Sequence, residues 1–225
     1  MGDPGLTLII GNKNYSSWSM RPWLLLRQLG IAFTERKLSL FSDEFSSEVA
    51  KVSPAGRVPV LLDGDFAVWD TLAIVEYLAE RFPALGVWPA DLRARARARS
   101  VCAEMHSGFA NLRGQMPVNI EARLPGRGWN LAVQADIDRI VQIWDELRAS
   151  HASGGPFLFG RFCAADAYFA PVVTRFETYG VQTPPACSEY RRTVMALPAM
   201  REWVEAALAE HSFIPEDEPY RRSRD

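Results

Sequence analysis

The chain predicts an α/β unit built on a mixed sheet, followed by an all-helical unit. Three observations carry this: strand and helix signals alternate over residues 1–82, a hairpin turn sits at Asp63-Gly64-Asp65, and strand signals vanish after residue 90. Leu6–Ile10 is a short β-rich apolar run. Trp18, Trp23, Leu24, Leu26 and Leu29 then recur at helical spacing. Pro22 falls in the first turn of that helix, where its missing N–H costs little, and Gly30 closes it. Residues 33–40 read as a second strand, and 41–52 as a loop with a short helix. Residues 58–62 and Phe66–Trp69 read as two strands joined by the hairpin turn. Asp70 is placed to cap a helix whose apolar side carries Leu72, Ile74, Val75 and Leu78. One crossover and a terminal hairpin give a four-stranded mixed sheet.

Pro83, Gly86 and Pro89 punctuate a linker, so the expected division is 1–82 and 91–225. Helical patterns follow at 92–112, 131–150, 164–179, 188–196 and 199–211, and 215–225 reads as a polar, loosely held tail. With 225 residues, 48% hydrophobic and 23% charged, the chain has the composition of a soluble globular protein. Its net charge of −2 speaks against wholesale attraction to nucleic acid or an anionic membrane. No apolar run approaches the roughly 20 residues that span a bilayer. Met-Gly-Asp-Pro-Gly offers neither the basic nor the apolar region of a signal peptide. Cys102, Cys163 and Cys187 form no C-x-x-C pair, which fits reduced, buried thiols in the cytoplasm. The three histidines are too scattered for a metal site.

The most informative stretch is residues 12–31. It sets Ser16, Ser17 and Ser19 at the mouth of a helix that follows a strand. A hydroxyl there sees free backbone N–H groups and the positive end of the helix, a setting that stabilises an anion such as a thiolate. No cysteine occupies the stretch, so the sulfur is expected to arrive with a substrate. With oxygen at 16 and 19, no internal disulfide can form, which disfavours a dithiol redox role.

Three motifs stand in order: S-S-W-S-M-R at 16–21, S-P-A-G-R-V-P-V-L at 53–61 and D-T-L-A-I-V-E-Y-L at 70–78. Together they make the chain resemble the glutathione transferase family over nearly its whole length. The first motif is most similar to the zeta class, with Trp18 where that class has cysteine. The resemblance implies a thioredoxin-like N-terminal domain that binds glutathione as co-substrate, a helical C-terminal domain, and a homodimer. It implies that Pro59 is cis and turns the Val58 backbone towards the ligand. Asp70 and Thr71 would hold the γ-glutamyl end, since a helix N-terminus suits a carboxylate and an Asp suits an ammonium. Arg57 would meet the glycyl carboxylate. Ser16 matches the family's catalytic serine and would donate to the thiolate, with Ser17 as the alternative and Ser19 as the helix cap.

A free thiol with a pKa of about 8.5 is only a few per cent ionised at pH 7, so a fall of ~2 units needs roughly 2.7 kcal/mol of thiolate stabilisation. A hydroxyl and a helix mouth can supply that. The electrophile pocket is expected from Trp18 together with Met105, His106, Phe109 and Arg113, an apolar surface suited to small apolar electrophiles or peroxides. Two alternatives remain: a zeta-type isomerase of a small unsaturated acid, which would need fixed cations, and a non-catalytic glutathione-binding protein. Asp166 reads as structural, although Cys163 is a poor capping residue before it.

Overall fold

A computed structural model of the chain describes residues 5–224. The Met-Gly-Asp-Pro of the leader reading, and Asp225, lie outside the described residues. The α/β unit runs β1 (Leu6–Ile10), α1 (Ser17–Gln28), β2 (Phe33–Lys37), α2 (Asp43–Ala50), β3 (Val60–Asp63), β4 (Phe66–Trp69) and α3 (Thr71–Arg81). Its sheet has the order β2-β1-β3-β4, with β1 and β2 parallel and the other pairs antiparallel, a thioredoxin-like arrangement. Strand β1 is apolar except at the half-buried Thr7, and both its faces are covered. Successive side chains point to opposite faces: Leu6, Leu8 and Ile10 join the main core, while Ile9 packs with Leu38, Val49 and Val60.

The helical unit contains α4 (Leu92–Ser107), α5 (Ala110–Gln115), α6 (Leu131–His151), α7 (Ala164–Tyr179), α8 (Pro185–Ala196) and α9 (Pro198–Ala209). Helix α7 is its axis. Every α7 residue except Glu177 is buried, and the helix packs against α1, α4 and α8. The core is therefore continuous between the two units.

The single helix expected over 92–112 is broken in two. At Gly108 a Cβ would lie 2.7 Å from the Glu104 carbonyl oxygen, and Phe109 has a left-handed backbone with φ 54°. Only glycine fits so close an approach, and the turn after it redirects everything downstream.

Asp166 has the structural role expected. Its carboxylate accepts hydrogen bonds from the backbone N–H of Cys163 (2.9 Å) and Leu158 (3.1 Å) and from the Tyr190 hydroxyl (3.1 Å). Burial pushes its pKa up to about 6 despite these donors.

The C-terminal tail is not loose as far as it is described. Glu218 is buried and accepts from the Tyr15 hydroxyl (2.7 Å), the Asn119 amide (2.7 Å) and Arg221 Nε (2.9 Å). Glu210, just past α9, accepts from the backbone N–H of Lys13 and Asn14. Glu in a polar run looks solvated, yet Glu210 and Glu218 satisfy donors of the loop between β1 and α1.

Candidate active site

The loop after β1 ends on Ser16, the N-cap of α1. Its Oγ accepts the Ser19 N–H (3.3 Å) and its hydroxyl donates to Ser19 Oγ (2.7 Å). Ser19 Oγ also accepts the Gly11 N–H (3.1 Å). The capping role expected of Ser19 therefore falls to Ser16, because the first residue with non-helical dihedrals is the one whose oxygen can reach back over the turn. Ser17 is half-buried, and its hydroxyl has no side-chain hydrogen bond within the described residues.

Both serines open into a cleft of about 700 Å³ between the two units. Trp18, Arg57, Val58 and Arg113 line it as well, so six of the expected site residues come together. The Val58–Pro59 peptide bond is cis. Arg57 is exposed at the rim.

The structure places five expected residues elsewhere. Met105 is fully buried and Phe109 is 8% exposed, both inside the main core. The expectation that they line the electrophile pocket rested on one unbroken helix, and the turn at Gly108–Phe109 removes that premise. The apolar lining comes instead from Leu40, Phe41, Phe45, Pro117 and Val118. His106 is outside the lining: its ring meets Trp18 edge-on at 4.9 Å and its Nε2 lies 3.4 Å from Asp70 Oδ2.

Asp70 and Thr71 adjoin the first turn of α1 but do not line the cleft. Thr71 Oγ1 already donates to the Trp18 carbonyl (3.1 Å), so this hydroxyl ties α3 to α1 and is not a free donor. Asp70 caps α3 through Leu72 N–H (2.8 Å) and has φ 74°, a sparsely populated backbone for a non-glycine residue. Such conformations concentrate at functional positions.

The residue that sequence reasoning missed is Arg175. It lines the cleft from α7 while only 4% exposed. Its Nε donates to the Met116 carbonyl (2.8 Å). Burial, then repulsion from Arg21 and Arg113, lowers its pKa to about 9, which leaves it charged at neutral pH. The available signal was a lone arginine in the apolar run A-Y-F-A-P-V-V-T-R-F of residues 167–176. Arg113 lines the same cleft, held by the His106 carbonyl (2.9 Å) and 5.2 Å from the Trp18 ring centroid. Arg21 lies behind, fully buried and 4.1 Å from the same ring centroid, and burial lowers its pKa to about 10. Arg113 and Arg175 thus make the helical wall cationic, where Arg113 alone was expected to interrupt an apolar surface.

Known proteins share this architecture. Residues 15–81 match the model of the glutathione S-transferase N-terminal domain, and residues 120–206 match that of the C-terminal domain. Glutathione S-transferase Z1 of Arabidopsis thaliana is 28% identical over 84% of this chain and 89% of its own. A probable maleylacetoacetate isomerase of Caenorhabditis elegans is 24% identical over 83% of this chain and 87% of its own. The crystal structure of a glutathione transferase homologue from Burkholderia gl BGR1, with bound glutathione, superposes with a TM-score of 0.69. It is 28% identical, and the alignment covers 90% of this chain and 98% of that one. No described helix is long and apolar enough to cross a membrane. With two family models matched in order over well over half its length, and a sheet and helical unit to correspond, the chain belongs to the glutathione S-transferase family.

Proposed function

We propose that the protein is a cytoplasmic enzyme that binds glutathione in this cleft and holds its sulfur as a thiolate at the mouth of α1. One observation carries the reading: a capped helix mouth with two serine hydroxyls opens into the same cleft as Val58 and its cis peptide bond. Ser16 stabilises the thiolate by turning its hydrogen from Ser19 Oγ to the sulfur, while its oxygen keeps the Ser19 N–H. A hydrogen bond to an anion is roughly twice as strong as the neutral one it replaces. Ser17 adds a second donor. Val58 pairs through its backbone with the cysteinyl part, Arg57 meets the glycyl carboxylate, and the γ-glutamyl end extends past Trp18, out of the cleft, to Asp70, which takes its ammonium. Cys102, Cys163 and Cys187 are free and buried, in keeping with a reducing compartment.

The second substrate is then a small electrophile attacked by this thiolate. The cations favour one with a carboxylate: Arg175, charged and nearly sealed from solvent, shares the cleft with Arg113 and the two serines. That observation moves the isomerase of an unsaturated acid ahead of a transferase for apolar electrophiles. In such an isomerisation the sulfur adds to the double bond, the carbon–carbon axis rotates, and the thiolate leaves again, so no atom is gained or lost. The exposed Phe66 and Trp69 beside α3 are the face through which a second copy would pair as a homodimer.

The test is a titration of the thiolate absorbance of bound glutathione in wild type and Ser16→Ala. The reading expects a bound pKa well below the ordinary thiol value and a rise in the variant. An unchanged pKa removes the role given to Ser16, and no binding removes the function.

A further inference from the structure

His106 reaches three parts of the site at once. Its Nε2 lies 3.4 Å from Asp70 Oδ2, its ring edge packs on Trp18, and its carbonyl accepts from Arg113. Its other nitrogen, Nδ1, is buried without a hydrogen-bond partner among the described residues. A buried, unpartnered polar atom is a cost to the fold. A ring that only filled the space between Trp18 and Tyr168 would serve better as phenylalanine, so the polar end that faces Asp70 requires a reason.

The Asp70 carboxylate supplies one. Oδ1 is engaged by the Leu72 N–H, and Oδ2 faces His106. An ionised carboxylate has about four acceptor sites, so two such neighbours orient it and leave lone pairs for a ligand. Its side chain remains 47% exposed, so a ligand can reach it. Asp70 stands on an uncommon backbone with φ 74° at the start of α3, where a small rotation would redirect it.

We infer that His106 is a positioning residue that fixes the Asp70 carboxylate to receive the α-ammonium of a γ-glutamyl ligand, while its backbone carbonyl sets Arg113 on the electrophile side. The inference rests on the glutathione reading above and goes beyond it. One residue of the helical unit couples the recognition of glutathione's amino end to the wall met by the second substrate.

The experiment compares binding of glutathione with that of its des-amino analogue, glutaryl-cysteinyl-glycine, by calorimetry. Wild type, His106→Phe and His106→Gln are measured. Wild type should prefer glutathione by about tenfold or more, the scale of a charge-assisted contact. Phe keeps the ring and discards both nitrogens. It should bring the preference close to one, leave affinity for the analogue within about twofold, and leave the melting temperature unchanged or raised. Gln returns an N–H near the position of Nε2 and should restore most of the preference. Equal losses for both ligands in His106→Phe would mark His106 as merely structural, and an unchanged preference would remove its link to Asp70. Either result overturns the inference while glutathione binding itself stands. A wild type that binds neither ligand overturns the glutathione reading and this inference with it.

Discussion

The two walls of the cleft are built in opposite ways. The α/β wall presents backbone and short hydroxyls: the capped mouth of α1, Ser17, and Val58 before its cis proline. The helical wall presents long cations held from behind by main-chain carbonyls, Arg175 by Met116 and Arg113 by His106. The first wall suits a feature every glutathione molecule has, a peptide with a thiol. The second suits a feature that varies between electrophiles, the position of a negative charge. A buried guanidinium with no carboxylate partner among the described residues is poorly justified as a stabilising device, since the desolvation of its charge is not offset by an ion pair. On the function proposed above, its value lies with what enters the cleft.

Five substitutions test how far this division holds. The largest effect is expected at a residue outside both walls. Met105→Ala empties a fully buried site and should lower stability by about 3 kcal/mol in denaturant unfolding, with the ratio of activities on acidic and neutral electrophiles unchanged. A changed ratio would return Met105 to the pocket.

Arg175→Met should lower kcat/KM for a carboxylate-bearing electrophile about 100-fold, or ~2.7 kcal/mol, and for a neutral one less than about threefold. Equal losses on both would make the helical wall a matter of packing alone.

The serines come next. Ser16→Ala should raise the pKa of bound glutathione by about 1–2 units and destabilise the fold by about 1 kcal/mol, since cap and donor are lost together. Ser17→Ala should raise the pKa by less than about 1 unit and leave stability alone. The reverse order would move the thiolate to Ser17.

The smallest effect is expected at Glu218. Burial works to raise its pKa, but the hydrogen bonds from Arg221 and Tyr15 and the charge of Arg221 outweigh it and hold the group below its ordinary value. A depressed carboxylate contributes stability that is present above the unfolded pKa and lost as pH falls through the folded one. Glu218→Gln should therefore cost about 1 kcal/mol at neutral pH, and the gap from wild type should close on acidification. Unfolding curves between neutral pH and pH ~3 check this, with 3 lying below the usual range for Glu.

The α/β wall was legible in the sequence because its determinants are local. A cap, a proline and a hairpin turn each act within a few residues, so the serines, Val58 and a four-stranded mixed sheet follow from short motifs. Thr71 was legible as a position but not in its use, because its bond to the Trp18 carbonyl joins residues 53 positions apart. The helical wall was legible only at Arg113. Its pocket was drawn on a continuous 92–112 helix, and the close approach at Gly108 breaks that helix. Arg175 is presented by the packing of α7 against α1, a contact that no spacing within α7 encodes. The tail misled for a related reason: Glu218 is exposed in any local reading and buried only by partners at positions 15 and 119.

That tail gives the order of synthesis a chemical meaning. The loop that carries Ser16 is held by Glu210 and Glu218, about 200 residues downstream. A ribosome that has made every residue of the first wall has not yet made the groups that fix it. On the function proposed above, thiol activation would therefore wait for residues 210–218, and a chain released before them would carry the serine motif without the brace that aims it.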